Sequence, residues 1–501
     1  MSQSSDHKKL FWACFVALVA TSFFFGLRSI VVPGLQSRFD LSGTQIGQVL
    51  GVGLWPFAFS IIIFSLIIDK IGYKAAACFA ITAHTVAVIG TLIAIKTLSY
   101  SWLYLSTFLV AIANGTVEAF INPITATIFN REKSKWLNIL HAGWPAGLAL
   151  GAATGLLLGY AGLSLTVKFA VCLIPVVIYA ILIMPRKFPV QERVAAGFTY
   201  RDMLREVGAF GFFIMAWLVV MGVGQIMNTS IDPVFSVGIA AAAALLTYFY
   251  TRSLGGWMFV LILITMPFLA TTELGTDTWM AELLGADLPK MAGWVFVLVS
   301  IIMTVLRFYA GPIVHHFSPI GLLVISAALA IAGLLCLGFA PAQIMVLAAI
   351  VYAFGKTFLW STTLGVVAEQ FPKGGALTLN GVSAVGVLGM GILGAPLMGL
   401  YLDRGVDADL HAKEPALYQT VNGGPKKTMF GMSPSLNHEV VDHLAGEEAS
   451  KVAAIINANK KAAFIRQSLL PSILLLSYLI LFFYFKFRGG YRPQEMGGGG
   501  H

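Results

Sequence analysis

The feature that most limits how this chain can fold is its succession of long apolar runs. Fourteen occur, near residues 10–33, 46–68, 75–96, 101–129, 138–160, 165–184, 207–228, 232–251, 256–283, 290–313, 319–339, 343–367, 376–402 and 467–487. Most are long enough to cross, as helices, a hydrocarbon layer of roughly 30 Å. Inside a bilayer the backbone must satisfy its own polar groups, so runs this apolar are expected to be helical. The chain is 58% hydrophobic and 11% charged, with a mean hydropathy of +0.83, a balance foreign to soluble globular proteins. The expected fold class is an all-α polytopic membrane protein with the lipid bilayer as its surroundings. The first run is too long for a cleaved signal and stands as the first span. A net charge of +9 would point to nucleic acid in a soluble chain. Here the orientation rule accounts for it, and no nucleic-acid partner is expected.

The cations set that orientation. With the N-terminus inside, the inside segments hold Lys8, Lys9, Lys70, Lys74, Arg131, Lys133, Lys135, the arginines and lysines of 185–206, Arg252, Lys373, Lys486, Arg488 and Arg492. The short outside loops hold only Arg38, Lys96 and Lys290. Both termini are therefore expected in the cytoplasm and the protein in the cell (inner) membrane. Removing the two middle runs, 207–228 and 232–251, would keep that parity and leave twelve spans. The expected organisation is an N-terminal six-helix bundle (1–184), a cytoplasmic linker with an inserted helical hairpin (185–255), and the first five spans of a second bundle (256–403). An extracytoplasmic loop with an amphipathic helix (404–466), a last span (467–488) and a cytoplasmic tail ending in a glycine-rich remnant (489–501) complete it. Gly115, Lys133 and Leu137 return as Gly355, Lys373 and Leu377, each 240 residues later, as in a repeated half.

Ionisable residues inside membrane-length helices are costly, which makes each a functional candidate. The stretch 114–151 concentrates them. Asn114, Glu118 and Asn122 stand four apart on one helical face, and His141 and Trp144 follow in the next span. A carboxylate removed from water holds its proton more tightly, so Glu118 is the expected proton carrier, with Arg28 opposing it as a cation. The Asn–Glu–Asn stripe suits a hydroxyl-rich ligand. In the second half Glu273 and Asp277 share a face near Trp279, and Lys356 and Arg307 are membrane-embedded cations. Asn114, Asn122, His141, Trp144, Glu273, Asp277, Trp279 and Lys356 form the expected substrate set. The surplus of buried cations also raises an acidic substrate. Cys14, Cys78, Cys172 and Cys336 lack disulfide or metal spacing, and His315-His316 lack a third ligand, so no metal is expected. No nucleotide loop, H-E-x-x-H or nucleophile elbow occurs, so neither an enzyme nor a cofactor is expected.

Asp69-Lys70-Ile71-Gly72-Tyr73-Lys74, between the second and third runs, resembles the D-[RK]-x-G-[RY]-[RK] loop of the major facilitator superfamily. Gly115, Glu118, Ala119, Asn122 and Pro123, then Glu132, Asn138, His141 and Gly147, look like spans four and five of its fucose/glucose–proton symporter branch. The segments FFFGLRSIVVPGL and ELGTDTW resemble the same branch. The resemblance implies two six-helix bundles, here with a two-helix insertion giving fourteen spans, that work by alternating access. It implies a cytoplasmic gate at Asp69, Lys70, Gly72 and Lys74, with which Arg307 is grouped. It also implies proton-coupled symport of a sugar or sugar-like solute by a single chain, the small-molecule substrate and protons being its partners. One departure stands out: fucose-type members carry an aspartate where this chain has Arg28-Ser29. An organic-anion or sugar-acid transporter, and a receptor that keeps the fold without transport, are the alternatives.

Overall fold

A computed structural model describes residues 2–41, 43–226, 231–276, 291–428 and 431–495. Among the described residues, thirteen helices are long and apolar enough to cross a bilayer, and a bent pair makes a fourteenth. In chain order, spans 1 to 6 are Asp6–Phe39, Gln48–Ile71, Tyr73–Thr97, Tyr100–Ile128, Lys133–Tyr160 and Leu165–Ile183. Spans 7 and 8 are Tyr200–Gly224 and Pro233–Thr251, and span 9 is Trp257–Gly275. Span 10 is Ala292–Phe308 with Ala310–Phe317, bent by 63°. The bend has a local cause: Pro312 has no N–H to donate, and its ring crowds the carbonyl of Phe308 one turn back. Spans 11 to 14 are Pro319–Phe339, Met345–Gln370, Pro372–Lys413 and Gly446–Phe487.

Spans 1 to 6 pack as one bundle, through contacts of span 1 with 5 and 6 and of span 4 with 2 and 3. Spans 9 to 14 pack as the other, through contacts between 11 and 12, 9 and 13, and 11 and 14. The bundles meet where span 2 lies on span 13 and where span 5 lies on spans 10 and 12. Within the first bundle, spans 1 and 5 nearly touch backbone to backbone. A Cβ on Gly147 would fall 2.3 Å from the Val19 carbonyl oxygen, and only glycine allows that approach.

Two ends of the molecule can be distinguished by contact. On one end, called the linker face below, Arg186 pairs with Asp6, Lys133 joins Glu192 to Ala368 O, and Glu369 takes bonds from Ser134 N–H and Gln494 N–H. Residues 404–466 lie at the other, the loop face. There spans 13 and 14 continue past their apolar parts as helices, because Val406 and Leu410 on one pack against Val452 and Ile455 on the other. Leu417 and Val421 join this small core, and an antiparallel hairpin, Asn422–Thr428 with Gly431–Leu436, lies beside it. The amphipathic helix of this segment is the outward extension of span 14.

The inserted pair sits at the edge. Span 7 packs on spans 13 and 9, whereas only 17% of the apolar window of span 8 is buried. Gly208 and Gly255, with φ of 64° and 93°, bring the two ends of the pair together. Ala209 N–H then donates to Ser253 O (3.1 Å) and Phe210 N–H to Leu254 O (3.2 Å).

Candidate substrate and proton site

Between the bundles lies a cavity lined by residues of both. Span 2 contributes Phe57, span 4 Glu118, span 5 His141 and Trp144, span 9 Glu273 and Leu274, span 10 Arg307, span 12 Trp360 and span 13 Val387. In span 9 the helix widens over Thr271–Gly275 into i→i+5 turns just after Pro267, and Glu273 sits on that widened turn. Such bulges re-aim side chains and are frequent at functional sites.

The polar groups fall into two sets. In the first bundle, Asn122 Nδ2 donates to Glu118 Oε2 (2.8 Å), and Asn122 Oδ1 accepts from His141 Nε2 (2.9 Å). The same Nδ2 donates to Asn380 Oδ1 of span 13 (3.2 Å), and Asn380 Nδ2 donates to Ala119 O (3.0 Å). Among the described residues, no cation lies within ion-pairing distance of Glu118. In the second bundle, Arg307 Nη2 donates to Glu273 Oε1 (2.6 Å), with both side chains almost fully buried. Trp360 N–H donates to Glu273 Oε2 (2.9 Å), and Lys356 Nζ reaches the Glu273 carbonyl (3.4 Å). Arg307 also crosses the seam, donating to His141 O (2.8 Å) as well as to Thr357 O (2.7 Å). Phe57 stacks on Trp144 (6.3 Å, 21°), whose Nε1–H has no acceptor. A tryptophan whose indole donor has no partner among the described residues and a glutamate with one oxygen unbonded thus line the same cavity.

Toward the linker face the seam is closed by polar contacts. Ser361 Oγ donates to Asn138 Oδ1 (2.7 Å), and Asn138 Nδ2 donates to Thr362 Oγ1 (3.2 Å). Ser134 N–H donates to Glu369 Oε1 (2.8 Å), and His315 Nε2 meets Glu132 Oε1 (3.2 Å). The Lys135 ammonium bonded to Glu132 holds that carboxyl below the usual carboxylate range. Tyr491 O–H from the C-terminal segment donates to the other oxygen of Glu369 (2.7 Å).

Glu118, Asn122, His141, Trp144 and Glu273 are thus brought together, with Lys356 one step behind Glu273. Several expectations are corrected. Arg28 does not meet Glu118: its guanidinium lies against Gly53 and over the Phe25 ring, in a different cavity. Asn114, on the same face as Glu118 by spacing, turns instead to His84 of span 3 (Nε2–Oδ1, 2.7 Å). Arg307 is a cavity residue rather than a gate residue, since Glu273 offers the carboxylate it needs inside the bundle. At the Asp69 loop the cations of the motif do not engage the acid. Asp69 pairs with Arg193 of the linker, Lys70 lies over the Tyr200 ring (5.5 Å), and Lys74 is exposed. Gly72 has a φ of 80° that ends one helix and starts the next. Asp277 and Trp279 lie outside the described residues. Trp360, Asn380, His84 and the linker pair Glu192 and Arg193 were not anticipated. Glu192 bonds Lys133 (2.6 Å).

The model of the Major Facilitator Superfamily matches residues 13–275, more than half of the chain. The chain belongs to that superfamily, and its fold is that of a membrane transporter, not of an enzyme. Solved structures with the same fold include the fucose:proton symporter FucP of E. coli. It is 14% identical at a TM-score of 0.60, over 94% of this chain and 98% of that one. The human organic anion transporter MFSD10 is 13% identical at a TM-score of 0.60, over 95% and 99%. The proton:xylose symporter XylE, solved with 6-bromo-6-deoxy-D-glucose, is 12% identical at a TM-score of 0.60, over 94% and 95%. No curated protein matches the sequence. At these identities the likeness is one of fold.

Proposed function

We propose that this protein is a secondary transporter that couples protons to the movement of a neutral, hydroxyl-bearing solute of about sugar size. The observation that carries the reading is Glu118: a buried carboxylate, in the cavity between the bundles, without a cation to hold it ionised. The cations nearby are already engaged. Arg307 is bonded to Glu273, and Lys356 lies on the far side of the same residue. That leaves the cavity with one loadable acid, an indole donor and two tryptophans, a set that fits hydroxyls and a sugar ring.

Asn122 gives the proton a mechanical consequence. Its amide is shared between Glu118 of its own bundle and Asn380 of the other. An ionised Glu118 takes a charge-assisted bond from Asn122, which is about twice as strong as a neutral one. Loading a proton weakens that bond and frees the amide to redistribute across the seam, where the bundles must part for alternating access. FucP and XylE are named as proton symporters, which supports the same reading. The organic-anion reading, suggested by MFSD10, has less to rest on in this cavity because its cations are spoken for.

By the orientation rule, the linker face, rich in lysine and arginine, is the cytoplasmic one of a cell membrane. One chain holds the whole cavity, so we take the monomer as the working unit. The test is uptake of radiolabelled hexoses into proteoliposomes under an imposed pH gradient, with Glu118→Gln beside the native protein. We expect uphill accumulation in the native protein only, while the variant still exchanges labelled for unlabelled sugar across the membrane. Accumulation by Glu118→Gln with unchanged pH dependence would remove the proton-carrier role.

A further inference from the structure

A second cavity lies within the first bundle. Its lining comes from spans 1, 2, 3, 4 and 6, and none from the second bundle, so it is separate from the inter-bundle path. Phe25 lines it on one side and on the other touches Trp144 (5.5 Å) and Phe57 (6.4 Å), which makes that ring the partition between the two cavities.

The wall is mostly apolar, with Phe24, Val88 and Phe169 among its members, and its polar residues are Arg28, Asn114 and the threonines Thr91 and Thr107. Arg28 presents its guanidinium there, 5.1 Å over the Phe25 ring and against the open side of Gly53, with no carboxylate partner among the described residues. Asn114 presents Nδ2, which is buried and bonded to nothing. Asn114 Oδ1 faces His84 Nε2 (2.7 Å), whose other ring nitrogen, Nδ1, meets the Tyr179 hydroxyl (2.9 Å). The file Tyr179, His84, Asn114 ends in an amide nitrogen with no partner, on a residue that lines the cavity. Thr91 and Thr107 spend their hydroxyl hydrogens on Ala87 O and Leu103 O of their own helices (2.9 Å each). A buried donor without an acceptor is destabilising. One kind of ligand would both satisfy it and pair the half-buried Arg28 guanidinium.

We propose that this cavity binds a monocarboxylate with an apolar body, its carboxylate taken by Arg28 and by Asn114 Nδ2–H, at a site distinct from the one that carries the transported solute. The ligand can come from the bilayer, as a fatty acid, or from water, as a free aromatic acid; the binding chemistry is the same.

The test is equilibrium binding to full-length protein in phosphatidylcholine nanodiscs, with empty nanodiscs as background. The probes are radiolabelled octanoate, which partitions into lipid, and phenylacetate, which stays in water, with octanol and phenylethanol as uncharged competitors. Saturable binding of at least one acid is expected, not displaced by either alcohol. Binding of both assigns an aqueous route, and of octanoate alone a bilayer route. Arg28→Gln is expected to weaken binding at least tenfold and Arg28→Lys to restore part of it. Gly53→Ala is a second variant that leaves the charge in place. Its added Cβ would fall 2.1 Å from the guanidinium, so it displaces Arg28, and it serves if Arg28→Gln does not yield monodisperse protein. Absence of saturable binding by either acid, or equal binding in native, Arg28→Gln and Gly53→Ala protein, overturns the proposal. The readout needs no gradient and no transport, so it stands or falls apart from the symport reading.

Discussion

Trp144 shows at the level of one side chain how the cavity can select its ligand. Its ring packs on Phe57 and Phe25, which fixes it, while Nε1–H is left without an acceptor. A packing residue would not need that nitrogen. Trp144→Phe keeps an aromatic surface and removes the donor. Losing one hydrogen bond costs about 0.5–1.5 kcal/mol, so the apparent affinity for the transported solute should fall roughly 2- to 10-fold in uptake assays. An unchanged affinity would return Trp144 to a packing role. Much of this site was legible in the sequence because polar residues in apolar runs announce themselves: Glu118, Asn122, His141, Trp144 and Glu273 all face one cavity region. What the sequence concealed was helix rotation. Asn114 shares a helical stripe with Glu118, yet a single turn of distance along a packed span puts it beside His84 and in another cavity. His84 itself, alone in an alanine-rich run, reads as packing until Tyr179 and Asn114 are seen on its two nitrogens.

At the level of elements, spacing and composition were reliable guides to the spans but not to where helices stop. Apolar periodicity marks the part of a helix inside lipid. Spans 13 and 14 run on to Lys413 and back to Gly446 because two polar helices found an apolar seam in each other, which hydropathy does not register. Glycine placement carries a different kind of information. Within span 5, Gly147 faces span 1 and Gly159 faces open space near Lys168. A Cβ on Gly147 would lie 2.0 Å from Ser22 Oγ and 2.3 Å from Val19 O, whereas one on Gly159 meets nothing nearer than 3.7 Å. Moving a backbone oxygen means moving a helix, and overpacking of this kind costs about 1–3 kcal/mol. Gly147→Ala should therefore lower the thermal midpoint in detergent by several degrees while Gly159→Ala leaves it unchanged. Equal midpoints for the two variants would mean that spans 1 and 5 are not held at this distance.

For the whole molecule, the question is what holds the two bundles closed at the linker face and how firmly. Hydrogen bonds and ion pairs contribute there beside apolar packing, as suits a seam that must open and close within a few kcal/mol. The linker takes part: Arg193 holds Asp69, Glu192 holds Lys133, and the C-terminal segment holds Glu369 through Tyr491. None of this could be read from the charge run of 185–206, because a solvated tail and a docked strap have the same composition. Gly365 of span 12 is the tightest point, where a Cβ would come within 2.6 Å of Ser134 Cα across the seam. Alanine there must push the bundles apart and so penalises the closed linker face without touching the cavity residues. A penalty of about 1–3 kcal/mol would raise the open population roughly 5- to 160-fold. Ser361→Cys, on the seam beside Asn138, reports it in a background lacking the four native cysteines. A membrane-impermeant maleimide applied from the linker face should modify this cysteine faster in Gly365→Ala protein by about that factor. Equal rates with and without the alanine would show that the bundles do not separate along spans 5 and 12, and the opening would then have to be sought along spans 2 and 13 instead.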